Sequence, residues 1–226
     1  MATEQHFIRN DATWPLLLLI GLCFAQAPVV SAASLPESIQ EIGRRWDEIA
    51  YHWPKSQQPD GLGALLADIE RLKNRYPRRA EPLIWQAITL VTLASLDPGL
   101  SSLNQATQAR DLLLHAVAID PGAMQGTAYL VLACLYYKVP GWPLSFGDAK
   151  KAERYFQKAL DLNPDGIENH YYYGHFLSKA GRMQEALAHF RRAVRLPPDP
   201  AQPYLSLKLK HKAREKLNQW LVQARL

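Results

Sequence analysis

The chain has 226 residues, 48% of them apolar, which suits one ordinary domain or a short repeat array and excludes a wholly disordered chain. Its 34 Leu and 29 Ala stand against 8 Val and 10 Ile, a balance that excludes a large sheet and predicts an all-α fold. The formal charge of +5 is mild, and because the surplus is local, a continuous nucleic-acid-binding stripe is excluded.

From Leu16 to Phe24 the chain is almost wholly apolar, and Val30-Ser31-Ala32-Ala33-Ser34 follows, the outline of a signal peptide over residues 1–32 cut after Ala32 or Ala33. The run is broken by Pro15 and Pro28 and is shorter than the roughly 20 residues of a membrane-spanning helix. Glu4 and Asp11 beside Arg9 make the segment less basic than most leaders, so an uncleaved anchor is the alternative. The expected location is outside the cytoplasm, in a Gram-negative periplasm. Cys23, preceded by Leu22 instead of the small residue of lipoprotein signals, would leave with the leader. Cys134 then remains alone on an apolar helix, where a thiol belongs to the core.

The body of the chain repeats. A weak first copy ends at Pro77, with Leu65, Ile69 and Leu72 at its key places. Ala109 to Pro121 reads A-x3-L-x2-A-x4-P, while Ala152 to Pro164 and Ala186 to Pro198 both read A-x3-F-x2-A-x4-P. In each, two small residues seven apart flank a large one a turn from the first. That arrangement makes a helix stripe that a neighbouring helix can approach closely. The closing prolines are spaced by 44, 43 and 34 residues, so the two earlier repeats carry insertions. The first insertion falls at about Asp97 to Asn104, with Ser102 and Gln105 as a capping box. The second is Val139 to Asp148, a Pro/Gly loop carrying Trp142 and Phe146, which either fold back on the body or meet a partner, and ending in Asp148 as N-cap. After Pro197-Pro198-Asp199-Pro200, residues 203–226 carry six cations against Glu215, with Leu205, Leu209, Leu217, Trp220 and Leu221 between them. This basic amphipathic helix caps the array or, as the rival reading, lies on anionic lipid.

Between Ile167 and Pro198, Gly174, Gly181, Ala186, Phe190, Ala193 and Pro198 sit at the spacing of the tetratricopeptide repeat, which this segment resembles; Tyr173 and Leu177 stand in place of its Leu and Tyr. The resemblance implies antiparallel helix pairs stacked in a right-handed solenoid, here three to four repeats over residues 33–202. It also implies that the first helix of each pair lines a concave face. The segments Tyr136 to Asp148, Lys151 to Leu160 and Asn163 to Gly174 look more narrowly like exported proteobacterial repeat proteins, including the T-component of TRAP transporters. That likeness implies an envelope accessory that docks a solute-binding protein and can oligomerise. Its lipoprotein anchor is not matched.

On the first helices the exposed-face candidates are Trp85, then Tyr129 and Tyr136, then Tyr171, Tyr172, His175 and Lys179. With Trp142 and Phe146 on the loop they make the expected binding surface, an apolar, Tyr-rich trough for a protein or peptide partner, an apolar ligand or the chain's own last helix. Each aromatic at helical spacing is also a core candidate. Tyr171 and His175 share a face. No cofactor-binding, metal-ligating or nucleophile motif occurs among the seven His and 21 acids, and Asp47 and Glu48 read as a solvated helix edge. The expectation is a non-catalytic interaction module of the cell envelope.

Overall fold

The computed structural model describes residues 33–97 and 99–223; the expected leader, residues 1–32, lies outside them. The described residues form nine α-helices and no strand. They are α1 (Leu35–His52), α2 (Gln58–Arg75), α3 (Glu81–Leu96), α4 (Leu100–Ile119), α5 (Thr127–Lys138), α6 (Ala149–Leu162), α7 (Ile167–Lys179), α8 (Met183–Arg195) and α9 (Pro203–Gln223). Successive helices pack as antiparallel neighbours, giving four pairs with α9 over the last.

The repeated stripe is what each second helix buries. Leu65 and Ile69 on α2, Ala109, Leu113 and Ala116 on α4, Ala152, Phe156 and Ala159 on α6, and Ala186, Phe190 and Ala193 on α8 are all essentially inaccessible to solvent. Small residues let the facing helix approach, and the large one fills the space between them. At the last corner Gly181 adopts φ +78° and the Arg182 amide donates to the Leu177 carbonyl at 2.9 Å, a left-handed helix stop that suits glycine.

The insertions resolve differently. At the first, α4 already starts at Leu100, so the extra residues lengthen the pair and do not form a loop to Asn104. Leu103 and Ala106 continue the spacing of Ala109 and Leu113, and burying Ala106 extends the helix backward. Capping correspondingly involves Gly99 and Ser102, whose hydroxyl accepts from the Gly99 amide at 3.2 Å, and not the expected Ser102–Gln105 box. The second insertion is a loop, and Asp148 caps α6 by accepting from the Lys151 amide at 3.0 Å.

The C-terminal helix caps the array and also reaches its start. Leu205, Leu209 and Ala213 are buried, and α9 packs on α8, on α7 and on α1. Asp47, 2% exposed, accepts hydrogen bonds from the amides of Tyr204 and Leu205, both at 3.2 Å. The solvated-edge reading therefore stands for Glu48, which is exposed, and is corrected at Asp47. The first turn of α9 follows Pro203 and Gln202, and its orphan amides take their acceptor from another helix.

Between α7 and α8, His170 Nδ1 and His189 Nδ1 lie 2.8 Å apart, while His170 Nε2 lies 2.8 Å from the Pro164 carbonyl oxygen. The carbonyl can only accept, so His170 carries its proton on Nε2, and its Nδ1 accepts from His189. Burial lowers both imidazoles, and His170 adds to the effect at His189, which is brought down to about 4. Unfolded histidines take protons near 6.5, whereas in the fold both rings take them at lower pH, His189 only near 4. The stability it supplies is therefore complete above about pH 6.5 and lost as pH falls toward 4. Since both rings are about half-buried, the loss is on the order of 1 kcal/mol. Melting curves at pH 7 and pH 4 should show a drop that is smaller for His189→Gln; an equal drop refutes the assignment.

Candidate functional site

Three expected trough residues lie on one stripe of α7. Tyr172 and His175 are partly accessible, and Lys179 is exposed. Across from them the Tyr137 hydroxyl stands 3.4 Å from His175 Nδ1, and Lys138 Nζ lies 5.7 Å above the Tyr172 ring. Burial lowers the His175 pKa, and Lys138, Lys216, Lys179 and Lys212 lower it further, placing four cations from α5, α7 and α9 around one neutral imidazole. Burial drives the Tyr172 phenol well above its ordinary range, so it serves as a hydrogen-bonding and apolar surface and not as an acid. The Cys134 thiol behind it is pushed up to about 12, which makes it unreactive.

Helix α9 packs beside this stripe, against α7 and α1. Lys208 Nζ sits 4.2 Å from the centre of the Tyr51 ring, and the rings of Tyr204 and His52 are 4.1 Å apart. A cleft of about 550 Å³ between α1 and the start of α9 is lined by Glu37, Glu41, Arg44, Glu48, His52 and Tyr204, a charged lining unlike that of an apolar-ligand site.

Four other candidates are buried. Trp85 is 2% exposed and packs on Trp46 of α1, with ring centroids 6.0 Å apart. Tyr129 and Tyr136 turn toward α6, where both rings meet Tyr155, and Lys158 and Lys151 lie over them. Tyr171 packs on Phe190 of α8 at 6.0 Å. These four residues hold the helix pairs together and do not line an open face. A change at Tyr171 consequently reads on stability as well as on recognition.

The loop divides its two aromatics. Phe146 folds back against Tyr136, with centroids 5.3 Å apart and the Arg110 guanidinium 4.6 Å over its ring, whereas Trp142 is 90% exposed and Leu144 76%. The loop is nonetheless braced. The Leu144 amide donates to the Gly141 carbonyl at 3.1 Å, and the Gly147 and Asp148 amides donate to the carbonyls of Pro140 and Tyr136, both at 2.9 Å. A Cβ on Gly147 would collide with the Val139 carbonyl oxygen, so only glycine closes the loop this way.

Sequence reasoning missed Asp47, Tyr51, Tyr137 and the α9 lysines that surround His175. One signal was available: Gln202 is a poor N-cap ahead of a helix that starts at Pro203, so an acceptor had to come from elsewhere.

Four antiparallel pairs closed by a terminal helix define a tetratricopeptide-like helix-pair solenoid. Residues 144–210, from the loop through α8 into α9, match the family model Tetratricopeptide repeat. Among solved structures, a thermophilic TPR protein of Thermus thermophilus is 21% identical, with 80% of this chain and 81% of that one aligned at a TM-score of 0.58. MamA is 16% identical over 76% of this chain and 96% of its own, at a TM-score of 0.46. No curated protein matches the sequence.

Proposed function

We propose that this protein is a non-catalytic interaction scaffold of the cell envelope that captures a protein partner at the open part of its concave side. The observation that carries this reading is the convergence of Tyr172, His175 and Lys179 with Tyr137 and Lys138, bordered by Lys212 and Lys216 of α9. Tyr rings give contact area at small entropic cost at the centre of an interface, and the lysines around them can stay solvated at its rim. The leader-like outline of residues 16–34 supports the envelope location. A TRAP-type transport accessory is the alternative partner class, with a solute-binding protein on the same face. It draws on the likeness of Tyr136 to Asp148, whose Trp142 projects from the surface.

The test is affinity capture from an envelope extract, with identification of the captured protein by mass spectrometry. His175→Glu with Lys179→Glu should reduce capture by roughly tenfold or more while leaving the melting temperature unchanged. Undiminished capture sinks the assignment, and a captured solute-binding protein selects the transport alternative.

A further inference from the structure

The tip of the loop contributes nothing to the convergence of Tyr172, His175 and Lys179. Trp142 and Leu144 are the two most exposed large apolar side chains among the described residues, at 90% and 76%. An exposed indole on a flexible loop could turn inward, but this tip is held out by the backbone hydrogen bonds across its neck and by Phe146 wedged at its root. The residues that flank it in sequence are cationic. Lys138 ends α5 at one side of the neck, and exposed Lys150, Lys151 and Arg154 occupy the first turns of α6 at the other. None of these four forms an ion pair among the described residues. Of the two acids interspersed with them, Asp148 is turned into the backbone as the cap of α6 and Glu153 is paired with Arg182.

We propose that Trp142 and Leu144 enter the headgroup layer of an anionic lipid surface while Lys138, Lys150, Lys151 and Arg154 rest on its phosphates. An indole favours that layer, where its apolar body and N–H are both satisfied, and unpaired cations beside it add attraction only when the lipid is negative. The contact is peripheral, made by a loop tip and the ends of two helices, and differs from the rival in which α9 lies along the lipid. Leu205, Leu209 and Ala213 of α9 are spent on the protein core. The proposal goes beyond the partner-binding reading: the two share Lys138, which lies over the Tyr172 ring, while Tyr172, His175 and Lys179 themselves stay free for the partner.

The test is co-sedimentation of the full chain with phosphatidylcholine vesicles, with and without phosphatidylglycerol, at low and high salt. The expected result is a strong preference for the anionic vesicles that high salt removes. Trp142→Ser with Leu144→Ser should lower partitioning by about tenfold. Lys150→Glu with Lys151→Glu should lower it by at least about 25-fold, since each cation near such a surface is worth roughly fivefold. All four positions are exposed, so circular dichroism should be unchanged in both variants. Equal binding to the two vesicle types overturns the proposal, as does wild-type binding by either variant, since attachment through any other part of the chain would survive these changes. Loss of protein capture by the Trp142→Ser, Leu144→Ser variant at unchanged vesicle binding also overturns it and makes the tip a protein anchor. The His175→Glu, Lys179→Glu variant should still bind vesicles, which separates this proposal from the partner-binding reading.

Discussion

Replacing Phe190 by alanine should lower the melting temperature by roughly 10 °C. Phe190 is 1% exposed at the middle of the α8 stripe, between Ala186 and Ala193, and both of those are fully buried. Its ring packs on Tyr171 of α7, and a Cβ added at Gly174 would come within 3.0 Å of it, which measures how closely α7 and α8 approach. Truncation leaves a void that backbones already in contact cannot close. Buried Phe→Ala changes of this kind cost about 3–5 kcal/mol, and about 2–4 °C accompanies each kcal/mol in a chain of this size. Phe190→Leu should recover much of the loss by keeping most of the volume. Thermal melting followed by circular dichroism decides the matter, and a shift of only a degree or two for Phe190→Ala would mean that the stripe does not hold the pair together.

Asp47→Ala should release the start of α9 at a cost of about 2–3 kcal/mol. The carboxylate is 2% exposed and takes two backbone amides from a helix 157 residues further along the chain. Removing it strands those amides next to a helix N-terminus that favours negative charge. Burial raises the Asp47 pKa, and the two amide hydrogen bonds oppose that rise. The uncharged isostere in Asp47→Asn keeps an acceptor oxygen and should recover about half the loss. Limited proteolysis is the direct measurement: Asp47→Ala should open cleavage around residues 199–203 at temperatures where the wild type resists. Equal resistance would show that α9 is held by Leu205, Leu209 and Ala213 alone.

The second helices could be read from sequence because each carries one phased stripe. Ala152, Phe156 and Ala159 point one way while Lys150, Arg154 and Gln157 point another, so the buried side was already defined. The first helices gave no such direction. α3 buries Leu83, Ile84, Trp85, Ala87 and Leu90, and α5 buries Tyr129, Leu130, Leu132, Ala133, Leu135 and Tyr136, stretches that are apolar nearly all the way round. A helix of that kind is packed from several sides, and periodicity cannot say which side stays open. Trp85, Tyr129 and Tyr136, expected on the trough, accordingly lie between helices, and Tyr171 of α7 joins them because its ring turns to Phe190 of α8. Tyr172, His175 and Lys179, on the more polar α7, keep the accessibility expected of them. Asp47 was illegible for another reason, because its partners are set by tertiary closure and no local pattern encodes them.

The contact of α9 with α1 alters how the whole array should come apart. A linear stack of repeats frays from its termini, because an end repeat has a neighbour on one side only. Here α1 and α9, the outer helices among the described residues, hold one another through Asp47, Tyr51 and His52. Neither terminus can peel away without breaking the other's support, so the array should melt as a ring would, in a single cooperative step with no half-unwound intermediate.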